Sequence, residues 1–538
     1  MDGINEEKIR PNSTNIKIIG MTISDILGDP VLGGIEIDKD EKGLIELPEM
    51  YRLRHIKQNS FLYLVYPGAL HTRFEHSLGV FYIASKIFDR VTEDEHYKGI
   101  KNKTEWRKRL RIAALLHDIG HGPLAHLYET MLERNGITVE ELFKNILMDK
   151  KIKPPKNKKI HEALTYYKIL TSKYIREYIA DVFDKDQENE LNKEVERIAH
   201  LSIGDSSYET KDTDFCFAYE IIASEFDADR IEYLVRDSYF TGAKYGTLDY
   251  ERLVNSGFAI RKVGKDKDSM RKLCIDEEKG LTPAESIVVA RAQMYPYVYL
   301  HSTARAITAM FVRAFDRIYE NYKNEEDKKN FIKKTLEMKD YEFIYEMKDK
   351  DETGLIQNIM DRKLHKKIKI EGWKYKYVKW QELHPEVREV IENIANRKDK
   401  YNILKKCEYK LEEELKNNIG KDIKNEKYGK YPVIIDIPSF PRLEELKAKV
   451  KSNNETRSLE DVSKIAWISK DVMRSNWKMF LFVDPSLKEM IGGNSEDAKK
   501  LRNKIEEYVK NFFSFEGYGE AATVMREAIK EAEKKMKN

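Results

Sequence analysis

The chain has little cysteine, no long apolar segment and almost no net charge, and each of these absences excludes a class of protein. Among its 538 residues are only three cysteines, Cys216, Cys274 and Cys407. They are too few and too far apart for a disulfide framework or a Cys-type zinc site. No stretch approaches the roughly 20 apolar residues of a membrane span, and the first twenty residues lack the apolar core of a signal peptide. We therefore expect a cytoplasmic protein without a membrane segment.

Charged residues are abundant but balanced. Lys and Arg number 96 against 93 Asp and Glu, which leaves a formal net charge of +3. This balance argues against a protein whose whole surface coats a polyanion. The lysine run at 150–159 and the basic C-terminal region could still bind nucleic acid, so nucleic acid is an open partner but not a favoured one. The length predicts two or three folded units.

The apolar pattern predicts a mainly α-helical fold with a small β-hairpin near the N-terminus. Short apolar runs broken by Gly, Pro and Asp over residues 20–70 predict this hairpin. Apolar residues spaced by three and four then predict a helix over 75–91. A following helix is expected to end at Gly120, with His117 and Asp118 in its buried last turn.

Further helices are expected from about His161, over 215–239 and over 284–321. The last should be kinked at Pro296, because proline removes a backbone donor and clashes with the preceding turn. Near the C-terminus, the segments YPVIIDIP and WKMFLFVDP predict two strands and LRNKIEEYVKNFF predicts a helix. These elements indicate a smaller α+β lobe.

The adjacent pair His117-Asp118 is the first candidate for chemistry. Imidazole and carboxylate together suit Mn, Fe, Zn or Ni, whereas Mg and Ca prefer oxygen ligands alone. Neighbouring helical residues point about 100° apart, so both can reach one ion only beyond the helix end, and further ligands must come from elsewhere. Taken alone, the pair could equally be an ordinary hydrogen-bonded pair at a helix end.

Histidines are clustered in one part of the chain, which favours a site. Six of the 12 histidines fall within residues 71–126, among them His71, His76, His117, His121 and His126, and His161 follows. Because glycines and Pro123 turn the chain after His117, we expect His121 and His126 on a loop beside the metal rather than within the core. Histidine titrates near neutral pH and suits a general acid there. Surface histidines are the alternative.

The segment EFDADRIEYLVRD independently indicates a site. If it is helical, four of its polar residues lie within an arc of about 100°: Asp229, Arg230, Tyr233 and Asp237. This face presents groups suited to a metal ion, a phosphate and a sugar hydroxyl. The alternative is a solvated charged face with intrahelical ion pairs.

Together these motifs resemble the HD-domain deoxynucleoside triphosphate triphosphohydrolases, the family of the vertebrate sterile-alpha-motif/HD-domain enzyme and its bacterial relatives. The matching segments, in chain order, are GDPVLGGIEI, RLRHIKQ, YPGALHTRFEHSLGV, LLHDIGHGPLAH, HEAL, FDADRIEYLVRD and MYPYVYLHSTAR. This ordered set is far more specific than one His-Asp pair. It resembles the catalytic core without the sterile-alpha-motif domain.

The resemblance implies a division of the chain into three parts. Residues 1–325 would be the HD phosphohydrolase domain with the metal and nucleotide site. Residues 326–430 would be a Lys/Glu-rich helical connection, and 431–538 a small α+β lobe for regulation or oligomerisation. A homo-oligomer, either a tetramer or a dimer, is the implied assembly.

The resemblance also implies roles for individual residues. The metal ligands would be His76, His117, Asp118 and Asp229, holding one divalent transition metal (Mn, Fe, Zn or Ni). An additional Mg ion could bridge the substrate phosphates. The metal would activate water for attack on the α-phosphorus of a dNTP, which releases deoxynucleoside and inorganic triphosphate.

Other residues would bind the substrate or transfer protons. His126 would protonate the sugar 5′ oxygen, while His121 and His161 would contact phosphates or hold the attacking water. The remaining implied contacts are Arg73, Arg230, Tyr233 and Arg291 to triphosphate oxygens, Gln58 and Asp237 to the 3′-hydroxyl, and Tyr299 to the sugar C2′, where it would exclude a ribose hydroxyl.

The sequence also departs from the family pattern. Glu129 stands where many relatives have Asp, three residues after the His126 position. Gly28, Glu46 and Ser302 depart from the pattern of the activator site, so whether GTP, a dNTP or no nucleotide activates the enzyme stays open.

Two other interpretations of the chain remain. The same metal site could act on an alarmone, a cyclic nucleotide or single-stranded nucleic acid. Alternatively, the protein could be a regulator without turnover that binds nucleotides or nucleic acid. Gln58, Asp237 and Tyr299 favour a mononucleoside pocket, and the intact ligands together with His126 favour an enzyme.

Overall fold

A computed structural model describes most of the chain, and the fold is mainly α-helical with small sheets, as predicted. The described residues are 25–93, 101–148, 151–205, 207–208, 213–246, 248–263, 270–367, 378–419, 433–440, 444–452, 455–513 and 520–537. The first twenty residues, on which the prediction of no signal peptide depends, lie outside these ranges. Within them, no helix combines the length and the apolar character needed to cross a membrane.

Helices form most of the part before residue 322. They are α1 (Lys39–Ile45), α2 (Pro48–Leu53), α3 (Arg73–Thr92), α4 (Lys103–Leu116), α5 (His126–Arg134), α6 (Val139–Glu141), α7 (Ile160–Thr171), α8 (Lys173–Phe183), α9 (Glu188–Ser202), α10 (Cys216–Ile222), α11 (Ala228–Thr241), α12 (Tyr250–Arg252), α13 (Glu277–Met294) and α14 (Ser302–Asn321).

Helices also form most of the remainder. They are α15 (Glu325–Leu336), α16 (Asp340–Lys350), α17 (Leu355–Met360), α18 (Pro385–Ala395), α19 (Lys400–Ile419), α20 (Leu459–Val462), α21 (Lys464–Ser475), α22 (Pro485–Gly492), α23 (Glu496–Phe513) and α24 (Glu520–Lys537).

The strands are short. They are β1 (Asp25–Asp29), β2 (Gly33–Ile37), β3 (Phe258–Val263), β4 (Met270–Asp276), β5 (Lys366–Lys367), β6 (Val378–Lys379), β7 (Val433–Asp436), β8 (Lys449–Ser452), β9 (Glu455–Ser458) and β10 (Lys478–Val483). The predicted N-terminal hairpin is β1 paired antiparallel with β2. The two strands predicted near the C-terminus, β7 and β10, also pair antiparallel.

Strand pairing joins distant parts of the chain. The β3–β4 hairpin was not predicted, and β4 pairs in parallel with β8, aligning Ile275 with Val450. Strand β10 pairs with β5 and β6 as well as with β7. These pairings cross the predicted boundaries at 325 and 430, and the division into three parts stays a prediction.

Helix α3 lies at the centre of the catalytic half. The backbone N–H of Thr72 donates to Oε2 of Glu75 at 2.5 Å and closes a capping box. The helix therefore begins at Arg73, which puts His76 in its first turn. Buried apolar side chains such as Ile83 and Ile87 pack α3 against α4 and α11.

Two predicted helices end differently from expectation. The helix predicted over 215–239 is interrupted between Ile222 and Ala228, because the Asp227 carboxylate accepts from the backbone N–H of Arg230 at 2.7 Å and caps a new helix, α11. Helix α4 ends at Leu116, so His117 and Asp118 follow the helix instead of lying in its last turn.

A kink was predicted at Pro296, but in the structure the helix is interrupted there. A π-helical turn over Tyr295–Tyr299 separates α13 from α14, and it carries Tyr299 towards the candidate site.

A buried ion-pair network attaches the C-terminal region to the helical core. The guanidinium of Arg134, at the end of α5, lies 2.9 Å from Asp316 of α14 and 2.8 Å from Glu408 of α19. Arg313 of α14 lies 2.6 Å from Glu412 of α19. Helix α5 therefore connects its first residue, His126, to helices on both sides of the predicted boundary at 325.

Candidate metal centre and active site

The four predicted metal ligands meet where α3, the end of α4 and the start of α11 converge. Nε2 of His76 lies 3.0 Å from Oδ1 of Asp229 and 3.6 Å from Oδ2 of Asp118. Nε2 of His117 lies 3.3 Å from Oδ1 of Asp118. Potential ligand atoms of His76, His117 and Asp229 all lie within 4.8 Å of one another. This cluster could hold one metal ion.

The two imidazoles are oriented for metal binding. Nδ1 of His76 donates to Glu232 at 2.6 Å, and Nδ1 of His117 donates to the carbonyl oxygen of Ala114 at 2.8 Å. These bonds leave the Nε2 lone pairs facing the carboxylates, and both Nε2 atoms are buried without a hydrogen-bond partner. Two neutral imidazole nitrogens and carboxylate oxygens fit a divalent transition metal.

The electrostatics of the cluster favour a bound cation. Desolvation lowers the pKa of His76, but Glu232 and Asp229 outweigh it and raise that pKa to about 10. Desolvation raises the pKa of Asp118, but His117 and Arg73 hold it well below its usual range. The carboxylates stay ionised at neutral pH, and the centre of the cluster attracts positive charge, whether a proton on His76 or a metal ion.

Three further histidines surround Glu129 next to this cluster. The rings of His121 and His161 stack with centroids 4.1 Å apart, and the His126 ring meets His121 edge-on at 4.8 Å. Glu129 accepts from Nδ1 of His126 at 2.9 Å and from Nδ1 of His161 at 2.7 Å. Ligand atoms of these four residues are also close enough to hold an ion.

The prediction that His121 and His126 lie on a loop beside the metal rather than within the core holds only in part: His121 lies on a loop but is buried, and His126 is exposed but begins helix α5. The side chain of His121 is 0% exposed and its Nε2 lies 3.4 Å from Oδ1 of Asp118, because the turn after Gly120 folds back under the cluster. His126 begins α5 and keeps 58% of its side chain accessible. Only His126 therefore faces the cleft freely.

The two histidines that bind Glu129 have pKa values shifted in opposite directions. Desolvation raises the pKa of Glu129, but His161 and His126 hold it well below its usual range. Desolvation lowers the pKa of His161, and Glu129 reverses this, so that the pKa of His161 is raised. Desolvation lowers the pKa of His126, only partly opposed by Glu129. His161 thus favours the cationic form, while His126 releases its proton more readily.

A second polar pocket surrounds Asp237 of α11. Oδ1 of Asp237 accepts from Asn59 at 2.7 Å and from Nε2 of His71 at 2.7 Å, and Oδ2 accepts from the Tyr299 hydroxyl at 2.6 Å. Oε1 of Gln58 is buried without a hydrogen-bond partner. The three residues predicted to bind a sugar, Gln58, Asp237 and Tyr299, therefore lie together, with Asp237 already held by three donors.

Arg73 links the two pockets. NH1 of Arg73 donates to Oδ2 of Asp118 at 2.8 Å, and NH2 donates to the carbonyl oxygen of Gln58 at 3.2 Å. Its side chain is buried, and its Nε has no hydrogen-bond partner. A single guanidinium therefore spans the metal cluster and the sugar pocket.

The other predicted phosphate ligands lie around Tyr233. Burial raises the pKa of Tyr233, and the charges of Arg291 and Arg230 oppose this, so both guanidinium groups lie near its hydroxyl. NH1 of Arg230 also donates to the carbonyl oxygen of Glu225 at 3.1 Å. Of the four predicted phosphate-binding residues, Arg230, Tyr233 and Arg291 therefore form one group, and Arg73 lies at the metal cluster.

Several residues at the site were not predicted. His71 was noted among the clustered histidines without a role, and Asn59 follows the predicted Gln58. Desolvation lowers the pKa of the Lys159 ammonium group, but Glu162, Glu129 and Asp229 raise it overall. The position of Lys159 in a lysine run that ends at His161 was the available signal.

A cavity next to these residues extends away from the metal cluster. It has a volume of about 270 Å³ and is lined by Gln58, His126 and Tyr299 at one end. At the other end it reaches Arg305 and residues 435–439, which follow and include the end of β7. The C-terminal region therefore forms one wall of the cleft.

Comparisons with known proteins identify two family regions in the chain. Residues 73–201 match the HD domain, and residues 248–509 match the HD associated region. An uncharacterised protein of Methanocaldococcus jannaschii is 30% identical over 487 residues, which cover 89% of this chain and 85% of that protein.

More distant relatives have a named activity. The deoxynucleoside triphosphate triphosphohydrolase SAMHD1 homologue of Dictyostelium discoideum is 27% identical over 64% of this chain and 60% of its own length. SAMHD1 of Bos taurus is 27% identical over 54% of this chain and 47% of its own length. The match thus spans about half to three fifths of these enzymes.

Solved structures share the fold. A hypothetical protein from Aquifex aeolicus superimposes with a TM-score of 0.55 at 23% identity, over 90% of this chain and all of that one. A phosphohydrolase from Bacteroides thetaiotaomicron gives 0.54 at 22% identity, over 86% of this chain and all of that one. This likeness shows the fold alone, while the archaeal relative and the two matched regions show that the chain belongs to the HD-domain phosphohydrolase family and carries an HD-associated region.

Proposed function

We propose that the protein is a metal-dependent hydrolase that cleaves deoxynucleoside triphosphates to deoxynucleoside and inorganic triphosphate. The observation that carries this proposal is the position of Arg73, whose guanidinium contacts both Asp118 in the metal cluster and Gln58 in the sugar pocket. A phosphate at the metal and a sugar beside Tyr299 would therefore belong to one bound molecule, as in a nucleotide.

His76, His117, Asp118 and Asp229 would hold the metal. When bound, a divalent ion would lower the pKa of a coordinated water and neutralise phosphate charge. The buried, unpartnered Nε2 atoms of the two histidines support these assignments. The mixed N/O set favours Mn, Fe, Zn or Ni, and an additional Mg could accompany the substrate phosphates.

Positive groups would bind the triphosphate. Arg73, Arg230, Arg291 and the Tyr233 hydroxyl would donate to phosphate oxygens, and guanidinium groups suit this task because they present two parallel donors. His161, whose raised pKa favours its cationic form, would add a further charge. The buried His121 would orient the attacking water or a phosphate oxygen.

His126 would act as the general acid. Its Nδ1 is held by Glu129 at 2.9 Å, so its Nε2 is left to donate a proton to the departing sugar 5′ oxygen. The exposed ring lies at the mouth of the cavity that also contains Gln58 and Tyr299. The leaving nucleoside would therefore be next to the acid.

The sugar and base would extend into the cavity. Tyr299, fixed by its hydrogen bond to Asp237, would pack against C2′ and exclude a ribose hydroxyl, while Gln58 and Asp237 would meet the 3′-hydroxyl. The base would then lie towards Arg305 and residues 435–439, at the wall formed by the C-terminal region.

A cytoplasmic location, a homo-oligomer and an allosteric nucleotide complete the proposal. Gly28, Glu46 and Ser302 change the pattern expected of the activator site. Lys367 donates to the hydroxyl of Ser302 at 2.9 Å, so an ammonium group still lies beside that position. This contact supports an anionic effector.

The proposal is tested by product analysis. Purified protein is incubated with Mn or Mg and with each dNTP, rNTP, alarmone and cyclic nucleotide, with and without GTP or dNTP activators, and products are separated by ion-exchange chromatography. We expect equimolar deoxynucleoside and inorganic triphosphate, and at least a 100-fold loss in a His126→Gln variant. Hydrolysis of another nucleotide with no dNTP cleaved under any condition would refute the proposal.

A further inference from the structure

A line of buried charged side chains runs from the metal cluster to the turn of the N-terminal hairpin. Oε2 of Glu232 accepts from Nδ1 of His76 at 2.6 Å, and Oε1 accepts from Nε of Arg236 at 2.5 Å. NH1 of Arg236 lies 2.9 Å from Oδ2 of Asp29 at the end of β1. His76, Glu232 and Arg236 are each 0% exposed. Two neighbours on α11 thus connect a metal ligand to the hairpin.

The packing of α3 against the Glu232 carboxylate requires a glycine at position 79. Gly79 lies one turn after His76, and a Cβ atom at this position would lie 2.6 Å from Cδ of Glu232, well inside contact distance. Only a residue without a side chain leaves room for the Glu232 carboxylate against the helix. The space beside Gly79 is therefore filled by the carboxylate.

Asp29, at the hairpin end of this line of charged side chains, is also held in position. Oδ1 of Asp29 accepts from the backbone N–H groups of Val31 at 2.9 Å and Leu32 at 2.8 Å, which closes the turn between β1 and β2. Its other oxygen faces Arg236. The conformation of the hairpin turn thereby determines where the Arg236 guanidinium is held.

A buried ion pair stabilises a fold little more than apolar side chains of similar size would. The free energy needed to desolvate both charges is nearly as large as the free energy gained from their attraction. Stability alone is thus a weak reason for a carboxylate and a guanidinium that are both completely buried here. The geometry instead gives Glu232 a specific task, since each of its two oxygens meets a different donor.

We propose that Glu232 is a positioning residue that keeps the proton of His76 on Nδ1, and that Arg236 and Asp29 hold Glu232 in place from the hairpin. With the proton on Nδ1, the Nε2 lone pair faces the metal. This inference rests on the proposed role of His76 as a ligand, but it is independent of the substrate. It makes the N-terminal hairpin part of the metal-binding machinery.

The Glu232→Gln variant tests the proposal sharply. Its single amide oxygen has to accept from Nε of Arg236, which can only donate. The amide nitrogen then faces Nδ1 of His76 and donates to it, which moves the histidine proton to Nε2. That tautomer cannot bind a metal through Nε2. The variant is nearly isosteric, so the packing of α3 against α11 is kept.

Metal affinity is the readout. The Kd for Mn and Zn is measured by chelator competition in wild type, Glu232→Gln and Asp29→Asn, and the absorption spectrum of Co-loaded protein reports the ligand geometry. We expect Glu232→Gln to weaken binding about 10–100-fold and to change the Co spectrum. Asp29→Asn should weaken binding less, and should have no further effect in the Glu232→Gln background.

Two controls separate positioning from folding. Asp89→Asn changes a partly exposed carboxylate on α3, the helix of His76, that pairs with Arg107, and it should leave metal affinity unchanged. Thermal unfolding in EDTA measures stability without metal, and a purely structural role would lower the Tm there with the metal Kd unaltered.

Unchanged metal affinity in Glu232→Gln, with normal binding in wild type, would overturn this inference alone. Wild-type protein that binds no divalent metal would overturn both the inference and the proposed function. If Glu232→Gln fails to fold, the same conclusions follow from Asp29→Asn, whose side chain lies at the edge of the core, and an unaltered Kd there would equally reject the proposal.

Discussion

Replacing Glu129 by Gln is expected to change both the pH dependence of activity and the stability of the fold. The carboxylate accepts hydrogen bonds from Nδ1 of His126 and from Nδ1 and the backbone N–H of His161. An amide oxygen can accept only part of this set, and it lacks the negative charge that supports both imidazolium forms. The two histidines should therefore lose a stabilising partner to different extents, according to their burial.

The expected loss at each histidine depends on how far its side chain is exposed to solvent. A hydrogen bond to a charged group contributes about 1.5–3 kcal/mol. The side chains of His161 and Glu129 are each 10% exposed, so the upper part of that range applies, and we expect the free energy of unfolding to fall by about 2–3 kcal/mol. The His126 side chain is 58% exposed and screened by solvent. For the hydrogen bond between Glu129 and His126, the lower end of that range applies. If this stabilisation of about 1.5 kcal/mol is lost from the transition state, the rate should fall roughly tenfold.

The sign of the pH effect is fixed by the direction of the shifts. The pKa of His161 is raised in the folded protein, so its contribution is complete below the ordinary pKa of about 6.5 and is lost as the pH rises through the raised value. The pKa of Glu129 is lowered, so its contribution is present above the ordinary pKa of about 4.3 and is lost as the pH falls. Wild type and Glu129→Gln should therefore differ most in stability between about pH 5 and 7.

Activity should respond on the alkaline side. His126 has to be protonated to act as an acid, and Glu129 supports the protonated form. In Glu129→Gln the pKa of His126 should drop further, which moves the alkaline limb of the kcat profile to lower pH. We would measure kcat from pH 5.5 to 9 and urea unfolding at pH 6. Glu133→Gln, one turn later in α5, is the matched control. An alkaline limb identical in wild type and Glu129→Gln would refute the argument.

Three further predictions follow from the structure. The double variant His117→Ala/Asp118→Ala should lose bound metal and more than 99% of activity as a rough expectation from the loss of two ligands; full metal occupancy by mass spectrometry would contradict the assignment. Tyr299→Ala should reduce the preference for dNTP over rNTP, measured as a ratio of kcat/KM, by about tenfold or more, and an unchanged ratio would remove Tyr299 from the sugar pocket. Arg313→Met should destabilise the fold by about 3 kcal/mol because the buried Glu412 would lose its guanidinium partner, whereas Glu408 would keep Arg134; Arg317→Met, at a more exposed guanidinium of the same helix, is the control, and equal urea midpoints for the two variants would show that the network contributes nothing.

The helices that carry the site could be predicted where local signals agree. The apolar spacing of α3 coincides with a capping box at its start, and α7 begins next to His161 as expected. The interruption between α10 and α11 was missed, because the apolar spacing continues across it. Asp227 as an N-cap was the signal that outweighed the periodicity.

Long-range pairing could not be predicted from local pattern. The parallel contact of β4 with β8 joins Ile275 to Val450, and neither strand contains information about the other. The same holds for the ion pairs of Arg134 and Arg313 with α19. These contacts bring the C-terminal region to the cavity next to Tyr299, a relation that the sequence could supply only through resemblance.

Sequence patterns identified candidate site residues where an unusual residue type occurs at a recognisable spacing. They did not identify residues that are proposed to act through another side chain. His117, Asp118 and Asp229 are each marked by the polar groups around them in sequence. Glu232 and Arg236 lie on the same helix as Asp229, but in an amphipathic pattern they look like exposed charges. Their complete burial is evident only once α3 and its Gly79 lie against α11.

Burial of charge identifies the functional half of α11 more reliably than its sequence does. A solvated face with intrahelical ion pairs was the alternative for Asp229, Arg230, Tyr233 and Asp237, and it would have left these side chains in water. Asp237 is instead 1% exposed and bound by three donors, while Glu232 and Arg236 on the next face are completely buried. Such burial is unfavourable unless every charge is paired. A helix that buries charge on two faces is therefore organised around a site, with one face lining the proposed sugar pocket and the other holding His76, a proposed metal ligand.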